Sequence, residues 1–325
     1  MRNVTVLRAA VAFALAVGGW ATSTACSSST EDRECRIGAD CASGQCTADG
    51  KCIRDAVPGG DASSGGVDTG APTDGGTGGD TSTDGPVVGC VPNKDGVITR
   101  EEVPLQAGLT AKYRVGTNEN VSTAGTTKPD GTRAWDFSGP LTSDVTVLLE
   151  TQPLAGKWYA TKFPGATYAL KLQEGSDLLG VFETSPGALL LRGVVSPNDD
   201  AFTKTELTNA PSVSTIKFPL KVGGAPWTTD VKVTGTAKGV FLGLGYDEKY
   251  ESVVDARGEL KTPLGTFDVL RVKTKLTRTV GVLTTVVRTF AFVTECYSTV
   301  ALVTSQDDET NEEFTSAKEI RRIVP

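Results

Sequence analysis

Between Leu109 and Gln306 one pattern recurs: short runs of Val, Thr, Leu and aromatic residues, broken by clusters of Gly, Pro, Asn and Asp. "LTAKYRV", "DVTVLLETQ", "KWYATKF", "TYALKLQ", "LLGVFETS", "ALLLRGVV", "DVKVTGTA", "FDVLRVKTKLTRT", "TTVVRTFAFVT" and "STVALVTSQ" all carry it. A helix needs apolar residues at i, i+3 and i+4, whereas these runs alternate. In "TFDVLRVKTKLTRT", Leu270, Val272, Thr274 and Leu276 share one face. Arg271, Lys273, Lys275 and Thr277 share the other, which predicts an antiparallel strand with one wet side. "TNEEFTSAKEIRRI", with Phe314, Ala317 and Ile320 on one side, reads either as a helix or as a final strand. There is no βαβ rhythm. Residues 90–325 are therefore expected to form an all-β, mainly antiparallel domain: a curved sheet, an open barrel or a sandwich.

Upstream the composition changes. Residues 53–89 are mostly Gly, Asp, Thr, Ser, Pro and Ala, and from Asp55 onward they hold no lysine, arginine or aromatic residue. Such a stretch cannot bury a core and is expected to be a disordered linker. The acidity of the chain belongs here: residues 27–89 hold 4 basic and 11 acidic side chains, against 26 and 28 in residues 90–325. A nearly neutral domain with no basic patch predicts no nucleic-acid partner.

Before the linker, residues 35–52 place Cys35, Cys41, Cys46 and Cys52 as C-x5-C-x4-C-x5-C. Zinc sites usually draw thiolates from tight C-x2-C pairs, and that spacing is absent, as is histidine. Between the cysteines stand the turn residues Gly38, Asp40, Ser43, Gly44, Asp49 and Gly50, with too few apolar groups for a core. The segment reads as a disulfide knot with three possible connectivities, of which Cys35–Cys46 with Cys41–Cys52 is favoured.

Residues 1–25 explain why disulfides would form. Arg2 and Arg8 precede the apolar run "AAVAFALAVGGWA", too short to span a bilayer, as in a signal peptide. "TSTAC", ending at Cys26, resembles the lipobox of bacterial lipoproteins, which implies a lipid on Cys26 and residues 26–34 as an anchored N-terminal segment. Ser23 stands where that pattern has leucine, so ordinary signal-peptidase cleavage after Ala25 is the alternative. Ser27 resembles the outer-membrane sorting signal, implying a protein on the periplasmic face of that membrane or on the cell surface. "DCASGQCTADGKC" is similar to short knots of surface proteins from predatory and soil delta-proteobacteria. "ARGELKTPLGTFDVLRVKTKL" and "AFVTECYSTVALVTSQ" resemble late hairpins of uncharacterised envelope proteins related to the half-barrel lipoprotein carriers, which implies a curved sheet able to hold an acyl chain.

In an oxidising compartment Cys90 and Cys296 are the remaining even pair and are expected to form a disulfide. "CVPNKDGVITREE" looks like part of a calcium loop, with Asn93, Asp95, Gly96 and Glu102 in place, but Val91 occupies the first ligand position. It reads instead as a D-G turn that starts a strand, and no metal or cofactor is expected. The Gly-rich "GVFLGLGYDEKYE" lacks both phosphate-loop patterns. Without histidine, Ser-His-Asp and Cys-His catalysis are excluded. "NDD" at 198–200 and "DDE" at 307–309 read as solvated loops, so a carboxylate-pair hydrolase ranks last and no enzyme is expected. The aromatics Trp135, Trp158, Tyr159, Phe163 and Tyr168 have two readings, sheet core or the lining of an apolar ligand site. The expected role is a non-enzymatic binding or structural one in the envelope: membrane-attached through Cys26, its partner a hydrophobic small molecule or an envelope component. A carbohydrate-binding or adhesive module is the alternative.

Overall fold

The computed structural model describes residues 90–243 and 245–325. The proposed signal peptide, Cys26, the knot cysteines and the linker lie outside these residues. The chain runs through β1 (Val97–Ile98), β2 (Thr110–Asn120), β3 (Thr126–Thr127), β4 (Arg133–Asp136), β5 (Val145–Glu150), β6 (Tyr168–Lys171), β7 (Leu179–Ser185), β8 (Ala188–Val195) and β9 (Glu206–Lys217). It continues with β10 (Leu220–Lys221), β11 (Trp227–Ala237), β12 (Val240–Phe241), β13 (Tyr246–Lys261), β14 (Thr266–Val280), β15 (Leu283–Thr294), β16 (Ser298–Ser305) and β17 (Ser316–Ile323). The main sheet follows the order β5-β2-β17-β16-β15-β14-β13-β11-β9-β8-β7-β6. Its two edges meet where Gln152 and Ala169 exchange backbone hydrogen bonds of 2.7 and 2.9 Å. The result is a nearly closed, barrel-shaped antiparallel sheet, which selects the barrel among the expected architectures.

Strand parity sorts the core. Leu270 and Val272 of β14 pair with Val293 and Ala291 of β15 and face the concave side, where Val254, Leu191, Val213 and Phe182 join them. Val269 and Phe292 point outward into a second cluster with Trp135, Phe290 and Phe314. The convex face of β13–β17 is thus dry as well, because residues 121–141 cover it. β4 lies parallel to β13 at Gly258–Lys261, and only glycine fits at 258, since a Cβ there would sit 1.8 Å from the Arg133 carbonyl.

That cover overturns the expected wet side of β14 at Arg271 alone. Arg271 is fully buried: it pairs with Asp255 at 2.7 Å and Glu313 at 2.6 Å, donates to the Thr123 carbonyl and lies over the Phe290 ring. Lys273 and Lys275 keep the outward direction and pair with Glu312 and Glu251. Three other segments resolve. "KWYATKF" is no strand but a 3-10 turn at Ala160–Lys162 over the convex face of β6–β8. Within the 310–323 segment Ser316–Ile323 form strand β17, held by ladders to both β16 and β2. Charged β13 and Pro-containing β9 are strands that the apolar pattern does not reveal. Pro211 is tolerated because it sits in a register gap of the β8–β9 ladder, where no N–H is needed.

Candidate functional site

The strand ends fall into two rims. One is closed. The Cys90–Cys296 disulfide forms there, at the β15–β16 turn. The Glu295 carboxylate accepts the Asn93 and Lys94 amides at 2.6 and 3.1 Å. Gly96 adopts φ +84° in the expected D-G turn, and Val97–Ile98 pair with Leu220–Lys221. Ile98, Val103 and Leu105 then enter the concave core and seal this end. Asn93, Asp95 and Glu102 spend their side-chain oxygens on the Asp95, Val97 and Thr99 amides.

Beside this seal lies a cleft of about 300 Å³ between Gly96, the β3–β4 turn, Arg257–Glu259 and Asp268–Leu270. Its charges largely cancel: Lys94 pairs with Asp268 at 3.3 Å and Lys128 with Glu259 at 3.6 Å. Asp130 accepts the Thr132 amide and hydroxyl, which together hold its carboxyl below the usual range. Arg257 has no ion-pair partner among the described residues. No acid or base in the cleft is poised against a nucleophile, and no group of three or more His, Cys, Asp or Glu among the described residues could hold a metal.

The other rim is open. Ladder register places Ser252, Thr274, Thr289 and Thr304 side by side across β13–β16 on the concave face, a belt of hydroxyls. Ser252 and Thr274 share a hydrogen bond of 2.9 Å. The next level toward the rim holds Tyr250, Leu276 and Val287, half-buried, where the equivalent positions deeper in the barrel are packed tight. Above them, buried Glu248 pairs with Arg278 at 2.7 Å and accepts the Tyr250 hydroxyl at 2.7 Å. Burial, then the neighbouring Glu248 charge, raises the Tyr250 hydroxyl well above its usual value, and the same two causes push Tyr246 up to about 12. Like any tyrosine near neutral pH, both phenols are protonated hydrogen-bonding groups. The concave face of β13–β15 thus carries apolar and aromatic groups near the rim and hydroxyls one level below them on the same strands.

The five aromatics read from the sequence do not meet around one space. Trp135 donates its indole N–H to the Thr123 carbonyl at 2.8 Å and packs edge-on against Phe292 in the convex cluster. Tyr168 stacks on Phe182 inside the barrel. Trp158, Tyr159 and Phe163 form a third cluster over β6–β8. There Trp158 donates to Ser196, and Phe163 lies against Gly193, where a Cβ would stand 2.6 Å from its ring. Tyr246, Glu248, Tyr250 and Arg278 are the groups sequence reading missed. A signal was present: in "YDEKYES" the residues Tyr246, Glu248, Tyr250 and Ser252 alternate with Asp247, Lys249 and Glu251.

No protein-family model and no curated protein matches the chain. Among solved structures it is similar to a candidate lipoprotein from Parabacteroides distasonis ATCC 8503, with a TM-score of 0.31 and 9% identity, over 70% of this chain and 97% of that one. It is also similar to a candidate exported protein with a YmcC-like fold from Bacteroides fragilis NCTC 9343, with a TM-score of 0.31 and 8% identity, over 68% and 96% of the two chains. Similarity at that level carries no argument about function.

Proposed function

We propose that this chain is a non-enzymatic envelope lipoprotein, attached to a membrane through Cys26, that binds a lipid-like amphiphile at the open end of its barrel. The observation that carries this reading is the two-level concave face at the open end. Tyr250, Leu276 and Val287 are half-buried there, and a hydroxyl belt lies directly below them. An apolar body would bury against the first set, and a polar head would bond to the threonines or to the Glu248–Arg278 pair. The deeper barrel is already filled by its own side chains, so the ligand belongs at the mouth. The export signal and lipobox-like "TSTAC" support the address, and the absence of histidine supports a role without catalysis. Native mass spectrometry of the gently extracted full chain tests the reading. A bound lipid mass should accompany the wild type and be lost from Leu276→Asp and Val287→Asp. No adduct on the wild type, or an adduct unchanged in both variants, would sink it.

A further inference from the structure

The hairpin tips of the open rim carry large apolar side chains where solvent-facing loops ordinarily carry polar ones. Phe202 in the β8–β9 loop is 88% exposed, Phe241 on β12 is 73% exposed and Val282 between β14 and β15 is 97% exposed. Val240, Val280 and Leu283 flank them, also exposed. The tips are neighbours. The Gly239 amide donates to the Lys204 carbonyl at 2.8 Å, joining the first two loops. β14 stands two strands from β11 in the sheet order, about 10 Å away.

Charge at this rim is partly paired, and Asp177 and Asp200 have no ion-pair partner among the described residues. Lys204 pairs with Asp199 and Glu206, and Lys232 with Asp247. Asp200 accepts the Phe202 amide. Lys238 is exposed with no ion-pair partner among the described residues. The tips stand on three separate loops, a form that suits a fluid apolar medium better than a shape-matched protein surface.

We infer that this rim is a membrane-contact surface, with Phe202, Phe241 and Val282 entering the interfacial zone of the bilayer to which the chain is tethered. The inference rests on the proposed attachment at Cys26, which supplies the bilayer. Cys90 is fixed by Cys296 to the opposite end of the barrel, and the 15 residues of β14 between the ends span about 50 Å. A chain of 37 residues has a maximal contour length of well over 100 Å, so residues 53–89, read as a linker, would let the domain turn its open rim back onto its own membrane. A few inserted side chains bind a bilayer weakly, and tethering multiplies that affinity through effective concentration.

Flotation of the full chain carrying Cys26→Ser, which removes the lipid anchor, tests the rim alone on vesicles of phosphatidylethanolamine and phosphatidylglycerol. The protein should co-float, and the triple variant Phe202→Asp, Phe241→Asp, Val282→Asp should lose at least tenfold of the bound fraction while melting at the same temperature. Brominated lipid should quench a tryptophan placed by Phe241→Trp and spare one placed at the closed end by Val222→Trp. Failure of the parent to float, equal flotation of the triple variant, or equal quenching at both ends overturns the inference. A rim-dependent dimer in place of flotation also overturns it and assigns the surface to a second copy. Leu276→Asp should float normally, so the ligand reading and the membrane reading fail independently.

Discussion

At one end of the barrel a disulfide, the Glu295 carboxylate on two backbone amides and the side chains of Ile98, Val103 and Leu105 converge on the mouth of the sheet. At the other, the same strands β13–β15 end in a half-buried trough and exposed apolar tips. Both ends belong to the same ladders, so backbone hydrogen bonding is not what separates them. The difference lies in what crosses the mouth. A chain segment that enters the core there adds apolar burial and a cross-link, and a mouth without one leaves concave side chains available to a ligand. Stability is thus expected to concentrate at the closed end and binding at the open one.

The sharpest way to break this contrast is to remove the cross-link. Replacing Cys90 and Cys296 together by serine opens a loop with a sequence separation of 206. It should lower stability by up to about 5 kcal/mol in the chain-entropy account. An unchanged melting temperature would show that the closed end is not where stability resides.

Next comes the convex cover. Arg271→Ala removes the cation that Asp255 and Glu313 share beneath residues 121–141. Asp255 and Glu313 would keep only the longer contacts to Lys273 at 4.0 Å and Arg133 at 3.6 Å, so the change should cost about 3 kcal/mol, read as a shift in the urea midpoint. Asp255→Ala combined with Arg271→Ala should cost less than the sum of the two single changes.

The same cluster sets an acid limit. Burial works against ionisation of Glu313, and the hydrogen bond and charge of Arg271 outweigh it, so its carboxyl lies below the ordinary 4.5. A depressed folded value contributes stability above the unfolded one and loses it as pH falls through the folded value. Urea titrations from pH 5 downward should therefore show wild type losing stability faster than Glu313→Gln. Parallel curves would remove Glu313 from the account.

The smallest effect is expected at the open end. Arg278 is nearly half exposed while Glu248 is buried, so Arg278→Gln, which leaves the carboxylate the Tyr250 hydroxyl and a neutral amide, should cost about 1–2 kcal/mol. A loss as large as that of Arg271→Ala would mean that the open rim is a structural element and not a binding one.

Much of the barrel was legible in the sequence. β14, β15 and β16 follow the alternation of Val, Thr and Leu, and pairing Cys90 with Cys296 followed from compartment and parity. What was hidden has physical reasons. β13 carries charge on its solvent face and polar groups on the concave one, so no apolar stripe marks it. β9 contains a proline that only a ladder gap makes harmless. Arg271 reads as wet in any one-strand view, because the segment that buries it lies about 130–150 residues earlier in the chain. The aromatic-rich "KWYATKF" suggested a strand because aromatic density marks corners as well as sheets. The trough escaped notice because its lining alternates with charged residues that dominate the composition.

The seam has a mechanical consequence. One pair of backbone bonds joins Gln152 to Ala169, and otherwise the gap is crossed by hooks: Arg321 on the Lys171 and Leu172 carbonyls, and Glu319 on the Glu174 amide. Every other junction on the circuit is a ladder of at least four residue pairs. The cylinder therefore behaves less like a welded tube than like a cuff with a clasp. Under tension across its girth it should part along β5 and β6 first, and its circumference can yield there while the rest of the wall keeps its register.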